Sequence, residues 1–196
     1  MLSELYTIFG SYTKAQEILF LLKDAKEVVR QGFYEKELFQ VEPYCKRNKL
    51  FLLKSSFKVA LADETTYSNK GLRLPASSPQ PAMHFIYISK DEKKANLAAY
   101  YELTHNHREL GLLLGYPSCC VEYFITNFNE NNTNLELPPT NPWTNLSQRN
   151  KDIVLLSHFP CSSECQESIE IAKKYFAIVQ QVEQKRAQEL FNILGK

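Results

Sequence analysis

Four of the five cysteines fall in two short segments, "YPSCCVEYF" (Tyr116 to Phe124) and "HFPCSSECQ" (His158 to Gln166), while Cys45 stands apart. In each segment a proline (Pro117 or Pro160) precedes the first cysteine at what reads as a helix start, where its fixed φ and missing N–H are tolerated. Serine (Ser118, Ser162 or Ser163) offers a capping hydroxyl, and Ser163 with Gln166 has the capping-box spacing. A helix N-terminus carries unpaired N–H groups and about half a positive charge, so a thiol placed there is favoured as thiolate, the better nucleophile and metal ligand. Cys161 and Cys165, four apart, are expected on one helix face. Cys119 and Cys120 stand about 100° apart around theirs, so the natural partner of each segment is the other.

Three chemistries fit four converging thiols. Four cysteines hold zinc, the same ligand set holds iron–sulfur clusters, and a dithiol does redox work when one cysteine attacks and a neighbour resolves. Zinc-finger pairs are usually two to four residues apart, and an adjacent pair is awkward for one zinc, so the spacing favours a cluster or a reactive thiol set. Cys119, Cys120, Cys161 and Cys165 are therefore the expected ligands, with an iron–sulfur cluster as cofactor and zinc as the alternative. The plain readings are separate buried cysteines or, in an oxidising compartment, two structural disulfides.

Around them stand candidates for proton transfer. His158, three before Cys161, reads as a fifth ligand or a proton donor, or else as a ring bonded to nearby backbone. In "YELTHNHREL" Glu102 lies three before His105 on what reads as one helix face, a pairing that suits a general base or an oriented ligand; His105 and His107, two apart, point to different sides. A solvated helix face explains the same residues. Tyr100, Tyr101, Tyr116 and Tyr123 are expected to pack near the cysteines.

The elements that must position these groups are read from apolar periodicity. Ile18, Leu19, Leu22, Ala25, Val28 and Val29 predict a helix over 13–30 that Gly32 ends. "LFLLKSSFKVAL" (Leu50 to Leu61) and "HFIYIS" (His84 to Ser89) read as strands separated by a loop at Pro75 to Pro81. Helices are expected over 91–114, capped by Asp91, over 118–128 and over 162–194, the last being the longest element. Residues 127–144 form a polar surface excursion, and Asp152 to Leu156 fits a buried strand or a short helix equally well. The fold class is α+β or α/β: one domain over 1–196, a small sheet covered by helices.

Composition narrows the function. A chain of 196 residues buries roughly 70% of its unfolded surface without needing disulfides. A net charge of +1 and a pI near 7.6 argue against nucleic acid as the main partner, the Lys46, Arg47 and Lys49 run being a surface patch. The N-terminus lacks a signal-peptide pattern, and "ILFLL" is far short of the roughly 20 apolar residues a span needs, so a cytoplasmic setting without a membrane is expected, where thiols stay reduced. No phosphate-cradling glycine run is present.

"LGYPSCCVEYF" together with "SHFPCSSECQESIEIAKKYF" resembles the domain-of-unknown-function family numbered 483, through a Gly-Tyr-Pro-x-Cys-Cys block and a His-x-Pro-Cys-Ser-x-x-Cys block. The resemblance implies Gly115, Tyr116, Pro117, Cys119, Cys120, His158, Pro160, Cys161, Ser162 and Cys165 as motif residues and implies no reaction. The leading expectation is an intracellular redox or sulfur-handling protein, an oxidoreductase or sulfur-transfer enzyme acting on a small-molecule or protein thiol. In it the four cysteines are the reactive or cluster-bearing set, and His158, Glu102 and His105 are the candidate catalytic groups. The alternative is a non-catalytic binding module with a structural zinc or disulfide site.

Overall fold

Leu2, Leu5 and Phe9 recur at helical spacing and are all buried, forming the inner face of α1 (Leu2–Phe9) in the computed structural model, which describes residues 1–61, 71–138, 140–145 and 151–194. The N-terminus of α2 (Tyr12–Leu22) is held by Ser11, whose Oγ accepts from the Lys14 N–H at 3.1 Å. Asp152 adds a distant cap, its Oδ1 accepting from the Thr13 N–H at 2.8 Å and the Thr13 hydroxyl at 2.6 Å.

The helix expected over 13–30 stops at Leu22. Asp24 takes the left-handed conformation (φ 56°), the Ala25 N–H donates to the Phe20 carbonyl at 2.8 Å and the Asp24 N–H to that of Leu21 at 3.2 Å, a Schellman ending with aspartate where glycine is usual. Val28 and Val29 then open β1 (Val28–Phe33). Gly32 ends no helix; it lies inside β1 opposite Phe85, where a Cβ would sit 3.1 Å from the Met83 sulfur. The next element, α3 (Glu35–Arg47), adds a helix to those expected; it carries Glu35 and Glu37 in its first turn and Lys46 and Arg47 in its last, which complements its dipole.

Both expected strands are present as β2 (Phe51–Leu61) and β4 (Met83–Ser89), joined by β3 (Gly71–Pro75) as an additional edge strand. The sheet is antiparallel throughout with order β1-β4-β2-β3. Alternation divides its faces: Val29, Phe33, Ile86 and Ile88 enter the larger core, while Val28 and Tyr87 pack with Ala98, Leu110 and Leu114. The fold class is α+β.

The single helix expected over 91–114 is two, α4 (Glu92–Leu103) and α5 (His107–Leu113). His105 is left-handed (φ 57°) and the Asn106 N–H donates to the Tyr101 carbonyl at 2.8 Å, so the chain turns there without a glycine. Helix α6 (Ser118–Asn127) is as expected. The expected 162–194 helix begins later and divides at Glu183 into α7 (Gln166–Val182) and α8 (Gln184–Leu194). On α8, Ala187, Leu190 and Leu194 join the core, and buried Arg186 donates from Nε to Gln16 Oε1 at 3.0 Å. Residues 152–156 form neither strand nor helix, yet Ile153 to Leu156 are buried and the Gln16 side chain donates to the Val154 carbonyl at 2.8 Å. Phe20 on α2 stacks on Tyr175 on α7 with ring centroids 4.0 Å apart, a contact worth about 0.5–1.5 kcal/mol beyond its buried area. No helix among the described residues is long and apolar enough to cross a membrane.

Candidate metal centre

Two local features place the first cysteine pair. Gly111 brings α5 against α6 so closely that a Cβ there would lie 2.7 Å from a Val121 methyl. Gly115 (φ 79°) then turns the chain, with the Tyr116 N–H donating to the Gly111 carbonyl at 3.1 Å. Pro117 is the residue before α6, its carbonyl accepting from the Cys120 N–H at 3.0 Å and the Val121 N–H at 2.9 Å. Cys119 and Cys120 are thereby the second and third residues of a helix, in its first turn.

The second pair is built differently from the expectation. Cys161 lies in a loop and Cys165 is the N-cap of α7, so the two do not share a helix face, and Pro160 stands in the loop rather than at a helix start. Ser163 caps no helix; its Oγ accepts from the backbone N–H groups of Thr140 at 2.7 Å and Asn141 at 3.0 Å, and the Thr144 hydroxyl donates to the Ser163 carbonyl at 2.7 Å. The polar excursion thus folds back to hold the Cys161–Cys165 loop.

The two segments meet. Cys119 Sγ lies 3.9 Å from Cys120 Sγ and 3.7 Å from Cys165 Sγ, Cys120 and Cys165 are 3.6 Å apart at sulfur, and all four sulfurs including that of Cys161 lie within 4.8 Å of one another. The adjacent pair is no obstacle to convergence, because both thiols project from one helical turn toward the loop. The Cys161 N–H donates to Cys120 Sγ at 3.3 Å, and Ser168 Oγ is 3.2 Å from the same sulfur. All four cysteines are free thiols positioned to hold a metal ion.

Burial, aided by hydrogen bonding with Cys161 and Cys165, pushes the Cys119 thiol up to about 11. Burial also raises Cys120, against the hydrogen bonds it accepts from Ser168 and the Cys161 amide. For Cys165 burial acts upward too, but the polar Ser168 side chain and N–H and the neighbouring thiols outweigh it and lower its pKa. Cys165 is accordingly the thiol most easily ionised among these three.

His158 is buried, with Nε2 2.9 Å from Ser168 Oγ and its ring centroid 5.0 Å from that of Tyr116; it reaches Cys120 through Ser168 and is not among the converging ligand atoms. Separately, the Tyr116 hydroxyl lies 3.4 Å from Ser157 Oγ, which is 3.3 Å from Lys26 Nζ, itself ion-paired with Glu17 at 2.6 Å. Glu102 and His105 are not paired along a helix face, since α4 ends between them. Buried Glu102 is ion-paired with Arg30 and Arg73, and His105 Nε2 lies 3.1 Å from Arg73 Nη1, so both belong to an arginine cluster and neither joins the converging ligands. Cys45 is buried on its own, its thiol pushed up to about 12. Ser168 carries no motif signal of its own in the sequence; its place three residues after an N-cap aims it back at the helix start.

The family model described as a protein of unknown function, DUF483, matches residues 94–194, which is 101 of the 196 residues and includes both cysteine segments, and the chain belongs to that family. No curated protein and no solved structure matches.

Proposed function

We propose that this DUF483 protein is a metal-binding protein whose four cysteines hold one divalent ion, with zinc as the ion, in a tetrahedral centre that joins α6 to the start of α7. The spacing of the sulfurs carries this reading. A tetrahedron with Zn–S bonds of about 2.3 Å has edges of about 3.8 Å, and three sulfur pairs here measure 3.6, 3.7 and 3.9 Å. An iron–sulfur cluster shares the ligand set but divides its thiolates among several irons, which spreads the sulfurs beyond the spacing around one ion. The 4.8 Å limit on every pair therefore favours a single ion. Four thiolates around a dication leave two negative charges, which the N-termini of α6 and α7 offset.

A second reading, a redox or sulfur-handling thiol set, draws support from the lowered Cys165 thiol beside Cys119 and Cys120. In that reading Cys165 attacks a small-molecule or protein disulfide, Cys119 or Cys120 displaces the mixed disulfide, and the partner leaves as two thiols while an internal disulfide remains. His158 is the proton donor through Ser168.

Cobalt(II) titration of the reduced chain separates the two. Saturation at one equivalent, with thiolate charge-transfer bands and the strong visible absorption of a tetrahedral site, is expected for the metal centre. A chain that binds no cobalt but forms a Cys165 mixed disulfide with an added disulfide would favour the thiol set instead.

A further inference from the structure

The four sulfurs are not equivalent. Cys120 is 1% exposed and Cys165 7%, whereas Cys119 and Cys161 are more open to solvent. Cys120 has the Cys161 amide and the Ser168 hydroxyl against its sulfur, and Cys165 is buried beside it at the start of α7, 3.6 Å away at sulfur. Among the described residues, no backbone amide or hydroxyl donates to the sulfur of Cys119 or Cys161; the hydrogen-bonding partners of the Cys119 sulfur are other thiols. The centre therefore has a covered, hydrogen-bonded side and an open, bare one.

The thiolate is the nucleophilic form of cysteine, and a hydrogen bond to it ties up the lone pair that would attack. Metal binding keeps all four sulfurs deprotonated at neutral pH. With four thiolates sharing one dication, the bare sulfurs retain the most electron density.

We propose that Cys119 and Cys161 form a nucleophilic edge of the centre that accepts an alkyl group from a soft carbon electrophile, an inference that rests on the single-metal reading. The thiolate lone pair attacks a saturated carbon bearing a leaving group; the S–C bond forms as the bond to the leaving group breaks, and that group departs with its electron pair. The sulfur becomes a neutral thioether, the charge of the centre falls from two negative to one, and no outside oxidant or reductant is needed. A thioether binds zinc less tightly than a thiolate, so the modified centre holds α6 and α7 less firmly.

The test uses the full chain loaded with zinc, with zinc content and the cobalt spectrum recorded first. Methyl iodide is added at a limiting amount, each cysteine is followed by peptide mass mapping, and zinc release is followed with a chromogenic chelator. Cys119 or Cys161 should be methylated first, ahead of Cys120 by about tenfold or more, the effect of one hydrogen bond to a charged group, and ahead of Cys165, which burial shields from the reagent. Ser168→Ala should speed methylation of Cys120 by about as much and leave Cys119 unchanged. Cys45, buried and metal-free, serves as the unreactive internal control. Equal labelling of all four, or first labelling at Cys120 or Cys165, on a zinc-loaded chain overturns this proposal alone. A chain that takes up neither zinc nor cobalt overturns the single-metal reading and the nucleophilic edge with it.

Discussion

Stripping the metal from the four-cysteine centre should lower the thermal midpoint by about 8–16 °C. Cys119 and Cys165 stand 46 residues apart in sequence, so a metal bound to both closes a loop of that length. A cross-link of this span removes about 13 cal/mol/K of chain entropy from the unfolded state, or about 4 kcal/mol at 25 °C, and a metal clip restricts the chain as a disulfide does. In a chain of this size each kcal/mol moves the midpoint by about 2–4 °C, which gives the range stated. The assay is calorimetry on zinc-loaded and chelator-treated protein, under reductant and at equal concentration. Cys165→Ser serves as comparator, and should melt like the stripped protein and ignore added zinc. Midpoints that agree within about 2 °C between loaded and stripped protein would refute the reasoning, because the ion would then not be linking α6 to α7.

Three other outcomes follow from the packing and the ionisation. Glu17→Gln leaves the Lys26 ammonium buried without its partner, which should cost about 3–5 kcal/mol by denaturant unfolding, and Glu17→Gln with Lys26→Met together should recover most of it. An equal loss in the single and double variants would show that the pair is not coupled. Gly111→Ala forces a methyl against Val121 and should cost about 1–3 kcal/mol while weakening cobalt binding through a displaced α6; unchanged cobalt affinity would separate the helix contact from the centre. Because burial raises the Cys45 thiol from 9.0 to about 12, its contribution to the stability of metal-free protein is present below pH 9 and lost as pH rises toward 12. Cys45→Ala should flatten that alkaline loss, and an identical pH profile in the variant would remove Cys45 as its cause.

The centre was legible because its information is local. Two prolines followed by cysteines, and two thiols within one helical turn, mark the places where thiols are concentrated, and convergence was the economical way to use them. The helix boundaries were not, because the stops are conformational rather than compositional. Asp24 and His105 take left-handed positions that glycine usually marks, so the periodicity runs on through two real ends, and Val28 and Val29 suit a helical stripe as well as a strand. Glu183 divides α7 from α8 with neither glycine nor proline, and the division accompanies the burial of Arg186 and Leu190 against distant segments. Glu102 looked like a partner for His105 because sequence spacing shows neither Arg30 nor Arg73, which reach it from β1 and β3. Ser163 likewise had the spacing of a cap but is used by the excursion at Thr140 and Asn141.

The central claim is one metal ion held by four sulfurs, and its most direct test is X-ray absorption at the metal edge of anaerobically purified protein, with iron, zinc and acid-labile sulfide counted on the same sample. The expected result is one zinc per chain with four sulfur neighbours at about 2.3 Å and no labile sulfide. Iron with sulfide and a metal neighbour in the spectrum, or a chain free of metal with its cysteines paired as disulfides, would contradict it.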